Sequence, residues 1–240
     1  MGKPVVATPA GGIGVECEAD NITIVGFSFD GNGAALGGIG ILGNDATLYD
    51  IEISGYEHGL YIGFIDRISL STTALHDNRN NLEYADFQKD TGNTIDETVT
   101  VNGRPVVYRE GVSGEIIDAT SDAGAVICVN CTDMIIRDIA PGAIEDGIFL
   151  FSCRDVIMGG NVTANEVSHG VLAYESANII VQDSSFGPDV DSGLRLYQIS
   201  GALVEGNEIV CHDGRAGIEF MYAEDTTIAN NTITGGERSR

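Results

Sequence analysis

The sequence predicts an all-β fold: a right-handed, single-stranded parallel β-helix, a solenoid with rungs of about 21 to 26 residues. Three observations predict it. A glycine-plus-aliphatic opening recurs at near-constant spacing, apolar residues after it alternate with a period of two, and Asp or Asn marks the turn between two short strands.

The openings are Gly12-Ile13-Gly14-Val15, Gly38-Ile39-Gly40-Ile41, Gly59-Leu60-Tyr61-Ile62, Ala125-Val126-Ile127-Cys128, Gly147-Ile148-Phe149-Leu150, Gly170-Val171-Leu172-Ala173, Gly193-Leu194-Arg195-Leu196 and Gly217-Ile218-Glu219-Phe220. They are spaced 26, 21, 66, 22, 23, 23 and 24 residues apart. The outlier is three times 22, so two less regular rungs are expected between residues 81 and 124.

In the regular units the first and third residues after the opening are apolar, as in Ile148 and Leu150 or Leu194 and Leu196. That period means a strand with one buried face. A second pair follows in each unit: Met134 and Ile136, Val156 and Met158, Ile179 and Val181. These segments are too short for helices and rich in β-branched residues. Between the strands stand Asp20, Asp133, Asp155, Asn178 and Asp225, residues that tolerate a left-handed backbone. Asn161, Asn207 and Asn231 are expected to stack as an asparagine ladder. Turns this short leave no room for crossover helices, and an antiparallel sandwich does not explain the recurring register. The whole chain, 1–240, reads as one β-helix domain with an irregular insertion at about 71–124. Within it, Thr98-Val99-Thr100-Val101, Asn102-Gly103 and Arg104-Pro105-Val106-Val107-Tyr108 read as a hairpin arm, since Asn-Gly is the strongest short hairpin signal.

Composition narrows the function classes. The net charge of −24 repels phosphate backbones, so no nucleic-acid partner is expected. No apolar run reaches the roughly 18 residues that span a bilayer, so no membrane span is expected. The N-terminal Met1-Gly2-Lys3-Pro4 has no apolar signal segment, and the favoured reading is a chain that begins after a removed leader. After Ile233 only Gly235-Gly236-Glu237-Arg238-Ser239-Arg240 follows, with no amphipathic cap. Solenoid ends without caps invite pairing, so other domains or copies of the same chain are expected partners there.

The string Val101-Asn102-Gly103-Arg104-Pro105-Val106-Val107-Tyr108, then Gly111-Val112-Ser113-Gly114 with Ile116-Ile117, then Ala125-Val126-Ile127-Cys128-Val129-Asn130-Cys131-Thr132, resembles NosD-like β-helix proteins. These belong to a wider set of carbohydrate-associated repeat domains with the pectate-lyase-like fold. The likeness covers roughly residues 90–235. It implies an exported location: extracellular, cell-surface or periplasmic. It also implies two roles: maturation of a copper enzyme beside a transporter, or binding or processing of surface polysaccharide. No catalytic residue carries over, because the matching motif is structural, and the chain has no Met-rich or His-rich tract.

The residues themselves suggest two sites. Outward strand positions, the second and fourth after the opening, read Phe149 and Phe151, Leu172 and Tyr174, Arg195 and Tyr197, Glu219 and Met221. This reads as an exposed aromatic stripe for sugar faces, with Phe149, Phe151, Tyr174, Tyr197 and Glu219 as substrate-binding candidates. The alternative is that the arm or a partner covers it. Along the preceding turn, Glu145, Asp146 and Asp191 are candidate Ca²⁺ ligands, and Asp146, His169 and Arg195 candidate acid, base and carboxylate-neutralising groups of a lyase or epimerase. The alternative there is a solvated turn edge. Cys131 and Cys153 fall six residues after their openings, so coils roughly 4.8 Å apart stack them. A free thiol pair, a disulfide and a metal site are the three readings. Three functions follow: an extracellular module that binds polysaccharide or surface glycan or joins a surface assembly, a polysaccharide lyase, epimerase or hydrolase, and a NosD-type accessory factor in copper-enzyme maturation. Whether the chain is an enzyme is left open by its residues.

Overall fold

A computed structural model describes residues 2–88, 91–212 and 215–236. The chain is all-β, its parallel strands stacked as a β-solenoid, as the repeat predicts. It divides into two compact units, residues 1–108 with 143–145, and residues 109–142 with 146–240. Residues 237–240, part of the segment expected to lack a cap, lie outside the described residues. No helix among the described residues is long and apolar enough to cross a membrane.

In the first unit, strands Ser28–Ile41, Thr47–Ile62, Ser69–His76 and Asn80–Tyr84 run parallel in successive coils. Ile39, Leu60 and Leu82 share one register position, and Phe29, Ile53 and Leu75 another. All six are buried. Residues 69–84 therefore continue the coil. Beyond them, Thr100–Val101 pairs antiparallel with Arg104–Glu110 across Asn102 and Gly103, whose φ values are 49° and 80°. Positive φ at both positions is what a two-residue hairpin turn requires, hence Asn-Gly.

In the second unit, Ile136, Met158, Val181 and Val204 form one inward column and Val126 pairs with Ile148, as Val171 does with Leu194. None of these side chains is exposed to solvent. Ile228 continues the first column but is exposed, because no described residue stacks on it. Each removed methylene group is worth about 0.8 kcal/mol of burial, so the columns hold the coils together.

Corners carry the strain. Asp133, Asp155, Asn178, Gly201 and Asp225 stack with φ of 53°, 55°, 55°, 77° and 50°. A left-handed residue costs roughly 1–2 kcal/mol unless its side chain is absent or short and polar, which explains the row's composition. At the first such corner the left-handed residue is Asn21, with φ 61°, one place after Asp20. The opening glycines have a separate cause. A Cβ at Gly170 would meet the Phe186 ring and come within 2.6 Å of the Gly193 carbonyl oxygen.

The asparagine ladder is shorter than expected. Asn207 Oδ1 accepts from Ser184 N (3.1 Å), and its Nδ2 donates to Val181 O (2.9 Å). Asn231 repeats this on the next coil, accepting from Asn207 N (2.9 Å) and donating to Val204 O (2.8 Å). Asn161 does not belong. The strand register (Thr163 beside Ser185, Ser185 beside Glu208) places buried Val162 in the ladder and exposed Asn161 one residue before it.

Candidate functional site

Register builds the site in the second unit. Leu172, Arg195 and Glu219 occupy one position on successive coils, and Tyr174, Tyr197 and Met221 another, two residues on. Period two turns all of them to the same side. Beside them runs a polar chain. Asp146 Oδ1 lies 2.8 Å from His169 Nδ1, and His169 Nε2 lies 3.4 Å from Arg195 Nη1. Arg195 Nε lies 3.3 Å from Glu219 Oε2, whose other oxygen accepts from Ser192 Oγ at 3.2 Å. The expected catalytic set, Asp146, His169 and Arg195, is thus brought together.

Burial grades along this chain. The Asp146 and His169 side chains are 8% and 14% exposed, against 42% for Arg195 and 34% for Glu219. Burial pushes the Asp146 carboxyl up, while the hydrogen bond and charge of His169, and the charge of Arg195, pull it down. A carboxylate accepting at Nδ1 fixes the proton on that nitrogen and leaves the Nε2 lone pair facing Arg195. The imidazole is therefore engaged at both nitrogens. It can act on a ligand only after Arg195 is drawn aside.

The aromatic stripe needs correcting. Phe149 and Phe151 are 1% and 2% exposed, so they are core residues and offer no ring to a ligand. Tyr174 and Tyr197 are half-buried, and their rings stack at 4.7 Å and 6°. Rings that close admit nothing between them, so the row shows rims and hydroxyls, not faces. Phe151 tilts against Tyr174 at 5.8 Å. The row ends in Tyr222, edge-on to Tyr197 at 5.4 Å and 73% exposed. Strand periodicity pointed to Met221 instead. Tyr222 sits one place later at a left-handed corner, with φ 55°, aligned with Glu175 and Gln198, and only the corner row reveals it.

The three metal candidates do not converge. Asp191 pairs with Arg215 at 3.4 Å, Asp146 is held by His169, and Glu145, in the first unit, accepts from Asn80 Nδ2 at 2.7 Å. Among the described residues no three His, Cys, Asp or Glu side chains are placed to hold one metal ion.

All five cysteines are free and buried. Cys131 Sγ lies 3.4 Å from Arg109 O, and Cys153 Sγ 3.3 Å from Cys128 O. Hydrogen bonds from Cys128 and then Cys153 lower the Cys131 thiol, while the bond to Cys131 and then burial raise Cys153.

A family model described as periplasmic copper-binding protein (NosD) matches residues 14–239. The chain matches no curated protein and no solved structure.

Proposed function

We propose that this chain, which belongs to the periplasmic copper-binding protein (NosD) family, is an exported β-helix module that binds uncharged, hydroxyl-rich polysaccharide. The binding place is the outer end of the polar chain: Arg195, Glu219 and the rims of Tyr197 and Tyr222. The observation that carries it is the half-exposed Arg195–Glu219 pair, followed two residues along the strand by Tyr197, against which the exposed Tyr222 packs. A guanidinium and a carboxylate side by side donate and accept in one plane, which suits the vicinal hydroxyls of a sugar. Tyr222 offers the one open ring of the row. A net charge of −24 disfavours anionic chains, so the ligand class is neutral.

Electrophoresis through gels containing soluble neutral glucans, mannans or xylans, against polygalacturonate, tests this. Retardation by a neutral polymer, lost in Arg195→Ala and Tyr222→Ala, is expected. Equal mobility in every gel overturns it. Release of an unsaturated product from polygalacturonate, lost in His169→Ala, would replace it with the lyase reading that the Asp146–His169 contact favours.

Copper is what the family's description names. The residues described here do not fit it. Both nitrogens of His169 are engaged, and the thiols of Cys131 and Cys153 are directed at backbone carbonyls.

A further inference from the structure

We infer that Cys131 and Cys153 form a disulfide between neighbouring coils when the chain meets a small-molecule disulfide such as oxidised glutathione. The two residues hold the same corner on successive coils. Thr132 is in register with Arg154, and Arg154 N donates to Cys131 O at 2.9 Å. Coils stack at about 4.8 Å, inside the 4.4–6.8 Å range of Cα separations that disulfides span. Parallel side chains keep their Cβ atoms about as far apart, a few tenths of an ångström beyond the usual range, so a small closure of the corner completes the bond.

Cys128 is the competing partner, and geometry disfavours it. Its coil neighbour is Leu150, not a cysteine. Joining it to Cys131 would close a small ring through Asn130, which is held left-handed at φ 53°. Joining Cys131 to Cys153 needs only that small closure and leaves Asn130 as it is. Ser176, next in the column, accepts from Cys153 N at 3.0 Å, so the column ends there without a third thiol.

The chemistry is an exchange. The Cys131 thiolate attacks one sulfur of oxidised glutathione; the S–S bond breaks and one glutathione thiolate leaves. Cys153 then loses its proton to solvent and its sulfur attacks that of Cys131, releasing the second glutathione thiolate. Two cysteine thiols give up two electrons and two protons, and one glutathione disulfide becomes two thiols. Both side chains are buried, so the oxidant enters while the coils are open.

The test is to refold the full chain from urea with excess oxidised glutathione, alkylate, digest and read the peptides by mass spectrometry. The expected result is one linked pair, Cys131 with Cys153, and alkylated Cys17, Cys128 and Cys211. The link should persist in Cys128→Ser and vanish in Cys131→Ser and in Cys153→Ser. The oxidised chain should melt about 5 °C above the reduced one, reversibly on adding reductant. A Cys128–Cys131 link, or five alkylated cysteines after oxidative refolding, overturns the inference.

Discussion

The two units fill their interiors differently. In the second, the column of Ile136, Met158, Val181 and Val204 is aliphatic from coil to coil, and its buried amide, Asn207, sits at a corner. In the first, the coils after His76 bury Asn78, Asn81, Asp86 and Asn93. Yet one device recurs. Asn78 spans Ile53 O and Tyr56 N at 3.0 and 2.9 Å, and Asn93 spans Ile65 O and Ile68 N at 3.3 and 2.9 Å. Asn207 spans Val181 O and Ser184 N in the same way. Each amide satisfies a carbonyl and the N–H three residues on, at a corner where the neighbouring coil offers no backbone partner. The difference lies in what accompanies the amide: Asn207 and Asn78 each bond a second amide, Asn231 and Asn81, whereas Asn93 in the first unit bonds a carboxyl group, Asp86.

Removing the shared device should produce the largest loss. Asn207→Ala strands two buried backbone groups and leaves a cavity, which together should cost about 3–4 kcal/mol. Asn78→Ala should cost about as much in the first unit. Urea unfolding measures both, with amide exchange at Ser184 and Tyr56 as local readouts. Losses below about 1 kcal/mol in both would break the equivalence between the units.

Asp86 is what separates them. Its Oδ2 accepts from Asn93 Nδ2 at 2.9 Å, and its Oδ1 has no partner among the described residues. Burial pushes its pKa up to about 6 from 3.8, against opposing hydrogen bonds from Gln88 and Asn93. The folded chain thus holds this proton longer than the unfolded one. The group's contribution is complete below about pH 4 and is lost as the pH rises through about 6. Asp86→Asn should therefore match the wild type near pH 4 and exceed it by at most about 3 kcal/mol above pH 7. Melting curves across that range check this. A constant difference at all pH values would mean that Asp86 titrates normally.

The coil was legible in the sequence because its causes are local and repeated. A period of two, a glycine forced by a neighbouring carbonyl, and short polar side chains at left-handed corners leave a mark in every unit. The register of single residues was less legible. Asn161 matches the ladder by type but falls one place early, where Val162 takes the buried position. Asp146 beside His169 followed from counting coils, but Asp191, expected on that edge, gives way to Ser192. The burial of Phe149 and Phe151 did not, since alternation says which side a ring faces and not what covers that side. Tyr222 was not legible because it sits at a left-handed corner, where the strand period of two breaks.

Corner strain should give a smaller effect than the amide device. Gly201 stacks on Asn178 with φ 77°, and a Cβ there would lie 2.8 Å from Asn178 Oδ1. Gly201→Ala should cost about 1–2 kcal/mol. Gly201→Asn should recover part of it, because a short amide tolerates the left-handed backbone.

The smallest effect on stability should come from the outer face. Arg195 is bound to Glu219 and faces His169, but its side chain is 42% exposed. Exposed pairs of this kind are worth about 0–1 kcal/mol, because water screens them and holding long side chains costs entropy. Arg195→Ala should leave the urea midpoint almost unmoved while abolishing retardation in neutral-polysaccharide gels. That split would separate the face from the columns beneath it. A loss of stability as large as that of Asn207→Ala would instead make Arg195 a structural clamp, since a residue that holds the coil together cannot also be free to turn toward a ligand.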